Sequence, residues 1–311
     1  TGSISLKTPG NPAETFSLTE SGNGVLTPER DLPLSIVKRT SSENEVTRIE
    51  ISVTAEQLLY YNIGQCLGTG FDSDDCLYYM PGFWYRDNMR SPKSAPSFHT
   101  SDSWAVREDR LSTPLTGIYN TKTGEYCTVL RIDDFGSEAQ PCHTYGEVIL
   151  SDDTSIGYTG FDNHSGESAV VFGFPYKEEP KSYIRKLTLA PAVQAFARLD
   201  AGETDTAVWE IRYGKAGSWS DFVAEVWKYS FDMSAPQPVK PKYGPEEAKD
   251  LLSRFFEQSY VGDFPLKYYS GVELRTADCK PNGKAELGFI GRVLLNAFNA
   301  LEYGLEHSRE D

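Results

Sequence analysis

Through residues 1–232 the chain reads as short runs of β-branched and aromatic residues, each bounded by Gly, Pro, Asn or Asp. The runs Ser3–Lys7, Thr15–Thr19, Leu34–Arg39, Arg48–Thr54, Tyr126–Ile132, Gly146–Leu150, Ala169–Phe174, Tyr183–Leu189 and Thr206–Tyr213 predict strands. From Val46 to Val53 apolar and polar residues largely alternate, as a sheet with one wet face requires. The fold class expected is mainly β: antiparallel sheets stacked as a large β-sandwich, followed by a short α-helical segment. An immunoglobulin-type domain holds about 100 residues, so this many strands imply an extended supersandwich. One helix-like interruption, Ser218–Trp227, carries apolar residues at 219, 222, 223, 226 and 227 and is expected to cover a sheet end.

The pattern changes at residues 233–243, where SAPQPVKPKY brings three prolines and predicts a linker between a sandwich over 1–232 and a helical segment over 244–311. Gly244-Pro245-Glu246-Glu247 is a helix start, with Pro in the first turn and acids at the positive end of the dipole. Apolar positions 287, 290, 294, 298, 301 and 305 predict a second helix over 285–305. That helix is apolar nearly all round and therefore demands burial on several sides. Either it packs on the sandwich or its partners lie beyond residue 311. The helix-compatible ending His307–Asp311 favours the second reading, a helical domain begun here and completed elsewhere.

Aromatic residues make up 13% of the chain, with 18 Tyr and 16 Phe, which favours sheets. Forty-five acidic residues against 30 basic give a formal charge of −15, which repels a phosphate backbone, so nucleic acid is not an expected partner. No apolar run approaches the roughly 20 residues that span a bilayer, and no membrane insertion is expected. The chain opens Thr-Gly-Ser-Ile and its first methionine is Met80, a start that suits a removed signal peptide or a cleaved tag. Five cysteines (66, 76, 127, 142, 279) form no C-x-x-C pair; Cys66–Cys76 and Cys127–Cys142 are conceivable disulfides, with free buried thiols as the alternative.

Chemistry-bearing motifs are few. There is no Gly-x-Ser-x-Gly elbow, phosphate loop or dinucleotide fingerprint, and no cofactor is expected. His99, His143 and His164 stand too far apart in sequence for a zinc motif; Asp72–Asp75 and Ser151–Asp153 offer carboxylate oxygens to calcium but fit no known loop pattern and read as solvated turns, so no metal site is expected. The run Trp84-Tyr85-Arg86-Asp87-Asn88 offers aromatic faces for a pyranose beside donors and acceptors for its hydroxyls. An aromatic strand paired within the sandwich is the competing reading. Glu108 and Asp109 are adjacent, so on a strand they point to opposite faces and cannot flank one glycosidic bond together; one of them acting with Asp87 is the alternative to the expected reading of WAVREDR as a charged exposed strand.

Two stretches resemble a known family. FDSDDCLYYMPGFWYRDN (Phe71–Asn88) followed by WAVREDR (Trp104–Arg110) is similar to the aromatic loop of bacterial glycoside hydrolases in which an N-terminal β-supersandwich is linked to an (α/α)6 barrel. KAELGFIGRVLLNAFNALEYG (Lys284–Gly304) resembles an early barrel helix of that family. The resemblance implies an N-terminal module of a secreted or periplasmic carbohydrate-active enzyme. Its partners would be an oligo- or polysaccharide and a missing C-terminal helical domain. It assigns no catalytic residue here, because in that family the acid and base come mainly from later barrel helices. The alternatives are a stand-alone carbohydrate-binding module and a structural or adhesion protein whose aromatics are core.

Overall fold

The computed structural model of the protein describes residues 1–8, 10–133, 148–151, 154–185, 188–263, 265, 267–271, 280–285 and 292–309. Residues Thr1–Pro236 and Gln237–Asp311 form two compact units. The first runs through β1 (Gly2–Lys7), β2 (Glu14–Glu20), β3 (Leu26–Pro28), β4 (Leu34–Glu43), β5 (Val46–Ala55), β6 (Leu59–Asp72), β7 (Cys76–Met80), β8 (Trp84–Arg86) and β9 (Trp104–Arg107). It continues through β10 (Leu115–Asn120), β11 (Glu125–Arg131), β12 (Val148–Ser151), β13 (Tyr158–Asp162), β14 (Glu167–Phe174), β15 (Lys177–Arg185), β16 (Thr188–Leu199) and β17 (Thr204–Lys215). Helix α1 (Trp219–Ser234) closes the unit.

These strands build two sheets. The larger has ten strands in the order β12-β16-β15-β9-β13-β14-β6-β1-β2-β3, and the smaller has seven in the order β4-β5-β17-β11-β10-β7-β8. Among the described pairings all are antiparallel except β12 on β16. Strand β16 pairs first with β15 and then, at Ala197–Leu199, with β6, so the large sheet curls back on itself.

One apolar cluster lies between the sheets, with Ile4, Ile63, Trp104, Phe161 and Phe172 from the large sheet and Ile51, Tyr78, Trp84 and Trp209 from the small one. Rings cross the interface directly: Phe172 lies 5.2 Å from Trp209 and Tyr78 lies 4.2 Å from Phe161. The arrangement is sandwich-like and mainly β, because each sheet hides its inward-pointing residues against the other.

Helix α1 starts at Ser218, whose hydroxyl accepts from the Asp221 N–H at 3.2 Å and caps the first turn. Phe222 and Val226 pack on Tyr79, Leu115, Tyr119 and Tyr126, so the helix covers the outer face of the seven-stranded sheet rather than only its end.

The second unit contains α2 (Pro245–Gln258), a short hairpin of β18 (Tyr260–Val261) and β19 (Tyr268–Tyr269), and α3 (Arg292–Glu306). Pro245 occupies the first turn of α2 as its fixed φ favours. The Tyr303 hydroxyl donates to Asp250 at 2.7 Å and ties α3 to α2. Ala285, where the helix is expected to start, is not helical; residues 286–291 lie outside the described residues and α3 is described from Arg292. Within α3 the apolar positions stand in solvent instead of buried: Leu294 is 70% exposed and Leu305 74%.

Where sequence pattern and strands differ, burial on two sides explains it. Strand β6, the longest, escapes the alternation test because Tyr61 and Ile63 face the core while Asn62 is also buried on the opposite face. The single strand expected at Tyr183–Leu189 is the end of β15 and the start of β16, with 186 and 187 outside the described residues. Residues 146 and 147 of the expected Gly146–Leu150 strand are likewise outside them. Cys66, Cys76 and Cys127 are free thiols, so neither conceivable disulfide forms; Cys142 and Cys279 lie outside the described residues.

Candidate functional site

The turn that presents the aromatic run is dictated locally. Met80-Pro81-Gly82-Phe83 closes with the Phe83 N–H on the Met80 carbonyl at 2.9 Å, Pro at the second position and Gly82 at φ +83°. That is a type II turn, which needs a residue tolerant of positive φ at its third position. The turn joins β7 to β8, paired as Tyr78–Arg86, Tyr79–Tyr85 and Met80–Trp84.

Along β8 the five candidate residues separate. Trp84 is 0% exposed; its rings meet Phe161 at 5.0 Å and Phe98 at 5.3 Å, and its Nε1 donates to the Arg86 carbonyl at 2.7 Å. It has no free face for a sugar. Tyr85 is 51% exposed, with its hydroxyl accepting from the Gly82 N–H at 2.9 Å. The Arg86 guanidinium sits 5.9 Å from the Trp219 ring centroid. Asn88 locks the turn, its Oδ1 accepting from the Tyr85 N–H at 3.3 Å and its Nδ2 donating to the Pro96 carbonyl at 3.2 Å. Arg86 and Asn88 both adopt φ near +50°, at 57° and 49°, strain that Asn tolerates and Arg does not favour. Asp87 is half-buried, and burial raises its carboxyl pKa against the opposing pull of Arg86.

WAVREDR is not an exposed strand. Trp104–Arg107 forms β9 with all four residues buried, and Glu108–Arg110 is a 3-10 turn. Charge does not bring exposure in this stretch, because each charge has a partner. Arg107 grips Asp109 with Nε–Oδ1 at 2.9 Å and Nη2–Oδ2 at 2.6 Å, and its guanidinium lies 4.3 Å from the Tyr176 ring centroid. Arg110 forms an ion pair with buried Glu178, a close charge contact without hydrogen-bond alignment, while Ser182 donates to the other oxygen of Glu178. Glu108, 2% exposed, accepts from Arg131 at 2.9 Å and from the Gly157 N–H at 2.8 Å. Burial outweighs those partners and pushes its carboxyl up to about 7.

The turn of Gly82 and the turn of Glu108–Arg110 face a pocket of 270 Å³ lined by Gly82, Phe83, Arg107, Asp109, Arg110 and Tyr183. Phe83 and Tyr183 meet edge to face at 6.1 Å. Aromatic walls and oriented guanidinium and carboxylate groups thus share one opening. Arg131, Glu178 and Tyr183 escaped the sequence reading; the signal in hand was a charged residue closing an apolar strand, as Arg131 closes YCTVLR.

Elsewhere the polar clusters are turns. Asp72 Oδ1 accepts from the Asp74 N–H at 3.1 Å, and Asp75 pairs with Lys122 at 2.8 Å. His164 contacts Asp162 at 2.7 Å and His99 contacts the Met89 carbonyl at 3.1 Å, while His143, Asp152 and Asp153 lie outside the described residues.

No protein-family model and no curated protein sequence matches this chain. Among solved structures, the chain is similar to a GH36 alpha-galactosidase from Geobacillus stearothermophilus crystallised in complex with raffinose: 10% identity, 70% of this chain, 28% of that one, TM-score 0.36. A polysaccharide lyase gives 8% identity over 73% of this chain and 27% of its own, TM-score 0.34. A galactose mutarotase-like protein from Clostridium acetobutylicum gives 7% identity over 68% and 75%, TM-score 0.29. This chain therefore spans just over a quarter of the galactosidase and of the lyase.

Proposed function

We propose that this chain is the N-terminal, sugar-binding β-supersandwich module of a larger, exported carbohydrate-active enzyme, and that it does not hydrolyse glycans by itself. The observation that carries the reading is the pocket between Gly82 and Arg110. Phe83 and Tyr183 supply apolar ring surface for a pyranose, and Arg107, Asp109 and Arg110 offer donors and an acceptor whose positions are already fixed by ion pairs. Tyr85, exposed beside this turn, is the stacking residue that Trp84 is not.

The apolar residues that α3 holds in solvent support a helical domain continuing the chain and covering them. Within that reading the catalytic acid and base belong to the helical domain.

The test is calorimetric titration of residues 1–311 with a glycan panel, together with an activity assay. Saturable binding that Tyr183→Ala and Asp109→Asn weaken, without glycan hydrolysis, is the expected result. Absence of binding across the panel overturns the sugar-binding role, and robust hydrolysis overturns the division of labour. The structural reading, in which the aromatics serve only the core, draws on fully buried Trp84, Tyr78 and Trp104 and predicts that no glycan binds.

A further inference from the structure

The outer face of the ten-stranded sheet carries a second pocket, of 390 Å³, where β16 leaves β15 to pair with β6. Its volume lies within the usual range for small-molecule sites. Asn62 forms part of its lining and is only 3% exposed. Both amide hydrogens of Asn62 are spent, on the carbonyls of Pro175 and Ala195 at 2.9 Å each. Those two acceptors fix the amide orientation, since the flipped form would set oxygen against oxygen. The Oδ1 atom is left with no hydrogen-bond partner among the described residues. That oxygen is not sealed from solvent: it opens into the pocket, where water or a ligand can supply the donor.

The rest of the lining is arranged around it. Tyr158 spreads across β6 and β14, and only glycine at 64 and 173 leaves room, because a Cβ at either position would collide with the tyrosine. Lys177 stands 5.0 Å from the Tyr158 ring centroid and donates to Glu179 at 2.6 Å. Ser5 and Thr15 share a hydroxyl–hydroxyl hydrogen bond of 2.7 Å at the rim. Each formal charge here has an opposite partner, Lys177 with Glu179 and Glu178 with Arg110, so the pocket selects neither anion nor cation. What it presents is an acceptor, an ammonium donor and groups that both give and accept, closely spaced.

From this arrangement we infer that the pocket binds a small, uncharged, polyhydroxylated ligand, a monosaccharide or cyclic polyol, with a ligand hydroxyl donating to Asn62 Oδ1. The site is separate from the pocket at Gly82–Arg110, and neither assignment depends on the other.

The test is ligand-observed NMR titration of the 311-residue chain with D-glucose, D-galactose, myo-inositol and, as the anionic comparison, sodium glucuronate. At least one neutral probe should bind saturably. Lys177→Met and Gln194→Ala, each checked for native circular dichroism, should weaken it about tenfold, the size expected for one lost polar contact. Ala192→Trp fills the pocket from a half-exposed position and should abolish binding even where Lys177→Met fails to fold. No saturable binding of any neutral probe, tighter binding of glucuronate, or an affinity unmoved by Gln194→Ala and Ala192→Trp overturns the proposal.

Discussion

Arg131 donates to Glu108 with one edge at 2.9 Å and holds Asp133 with the other, Nε–Oδ1 at 2.7 Å and Nη2–Oδ2 at 2.9 Å. Both Arg131 and Glu108 are buried, so this pair behaves as a unit. Removing Arg131 leaves Glu108 either charged and uncompensated away from water or forced to take up a proton, and it strips Asp133 of its partner, which together cost more than the pair contributes when intact. Arg131→Met should destabilise the first unit by about 3–5 kcal/mol. Adding Glu108→Gln should restore part of that loss. Denaturant melts of both variants check this, and a double variant no more stable than Arg131→Met would contradict the coupling.

The same carboxyl gives a pH dependence. Burial raises Glu108 from 4.5 to about 7, so the folded chain holds that proton more tightly than the unfolded one. Its stabilising contribution is fully present below pH 4.5 and is lost as pH climbs through about 7. The stability of the native chain relative to Glu108→Gln should therefore fall across that window, by no more than about 1.4 kcal/mol per pH unit. A difference that grows with pH would show that Arg131 wins over burial.

Trp84 and Tyr85 are neighbours with opposite roles. Trp84→Ala removes a ring packed among Phe98, Trp104 and Phe161 and should cost about 3–5 kcal/mol. Tyr85→Ala, at a half-exposed ring, should cost under about 1 kcal/mol, the range of surface changes. Thermal melts separate the two, and a Trp84 variant that remains fully stable would place that ring outside the core.

This pair also shows what the sequence carries and what it withholds. Strands β1, β2, β4, β5, β11, β14 and β17 lie close to where short β-branched and aromatic runs place them, because a half-wet sheet writes its burial as alternation. Strands β6 to β10 and β13 break that rule through glycines, polar residues buried on a second face, and short length. The run Trp84–Asn88 was legible as aromatic and polar, but which ring faces solvent depends on the Pro81-Gly82 turn and on which strand partners β8. Charge is no better a guide to exposure, for Arg107, Glu108, Arg131 and Glu178 are all buried, each balanced by a residue distant in sequence or two positions away.

Gly82 supplies a fourth expectation. At φ +83° it holds the third position of the turn before β8, and a Cβ there would lie 2.7 Å from the Ser112 hydroxyl. Gly82→Ala should lose roughly 1 kcal/mol or more through backbone strain. Because the same turn forms one wall of the pocket with Phe83, the glycan affinity proposed for that pocket should fall with it. Ser112→Gly in the same chain relieves the contact but not the φ strain, so it should recover only part of the stability.

Leu301 tests the surface of the second unit. It is 62% exposed on α3, so Leu301→Lys removes little buried area in residues 1–311 and should shift stability by less than about 0.5 kcal/mol while raising solubility. In a longer product whose further helices cover α3, the same substitution would bury an unpaired ammonium and cost several kcal/mol. Comparing the substitution in the two lengths of chain measures whether that face is covered. An equal, small effect in both would leave α3 a solvent-facing helix and remove the support it gives to a continuing helical domain.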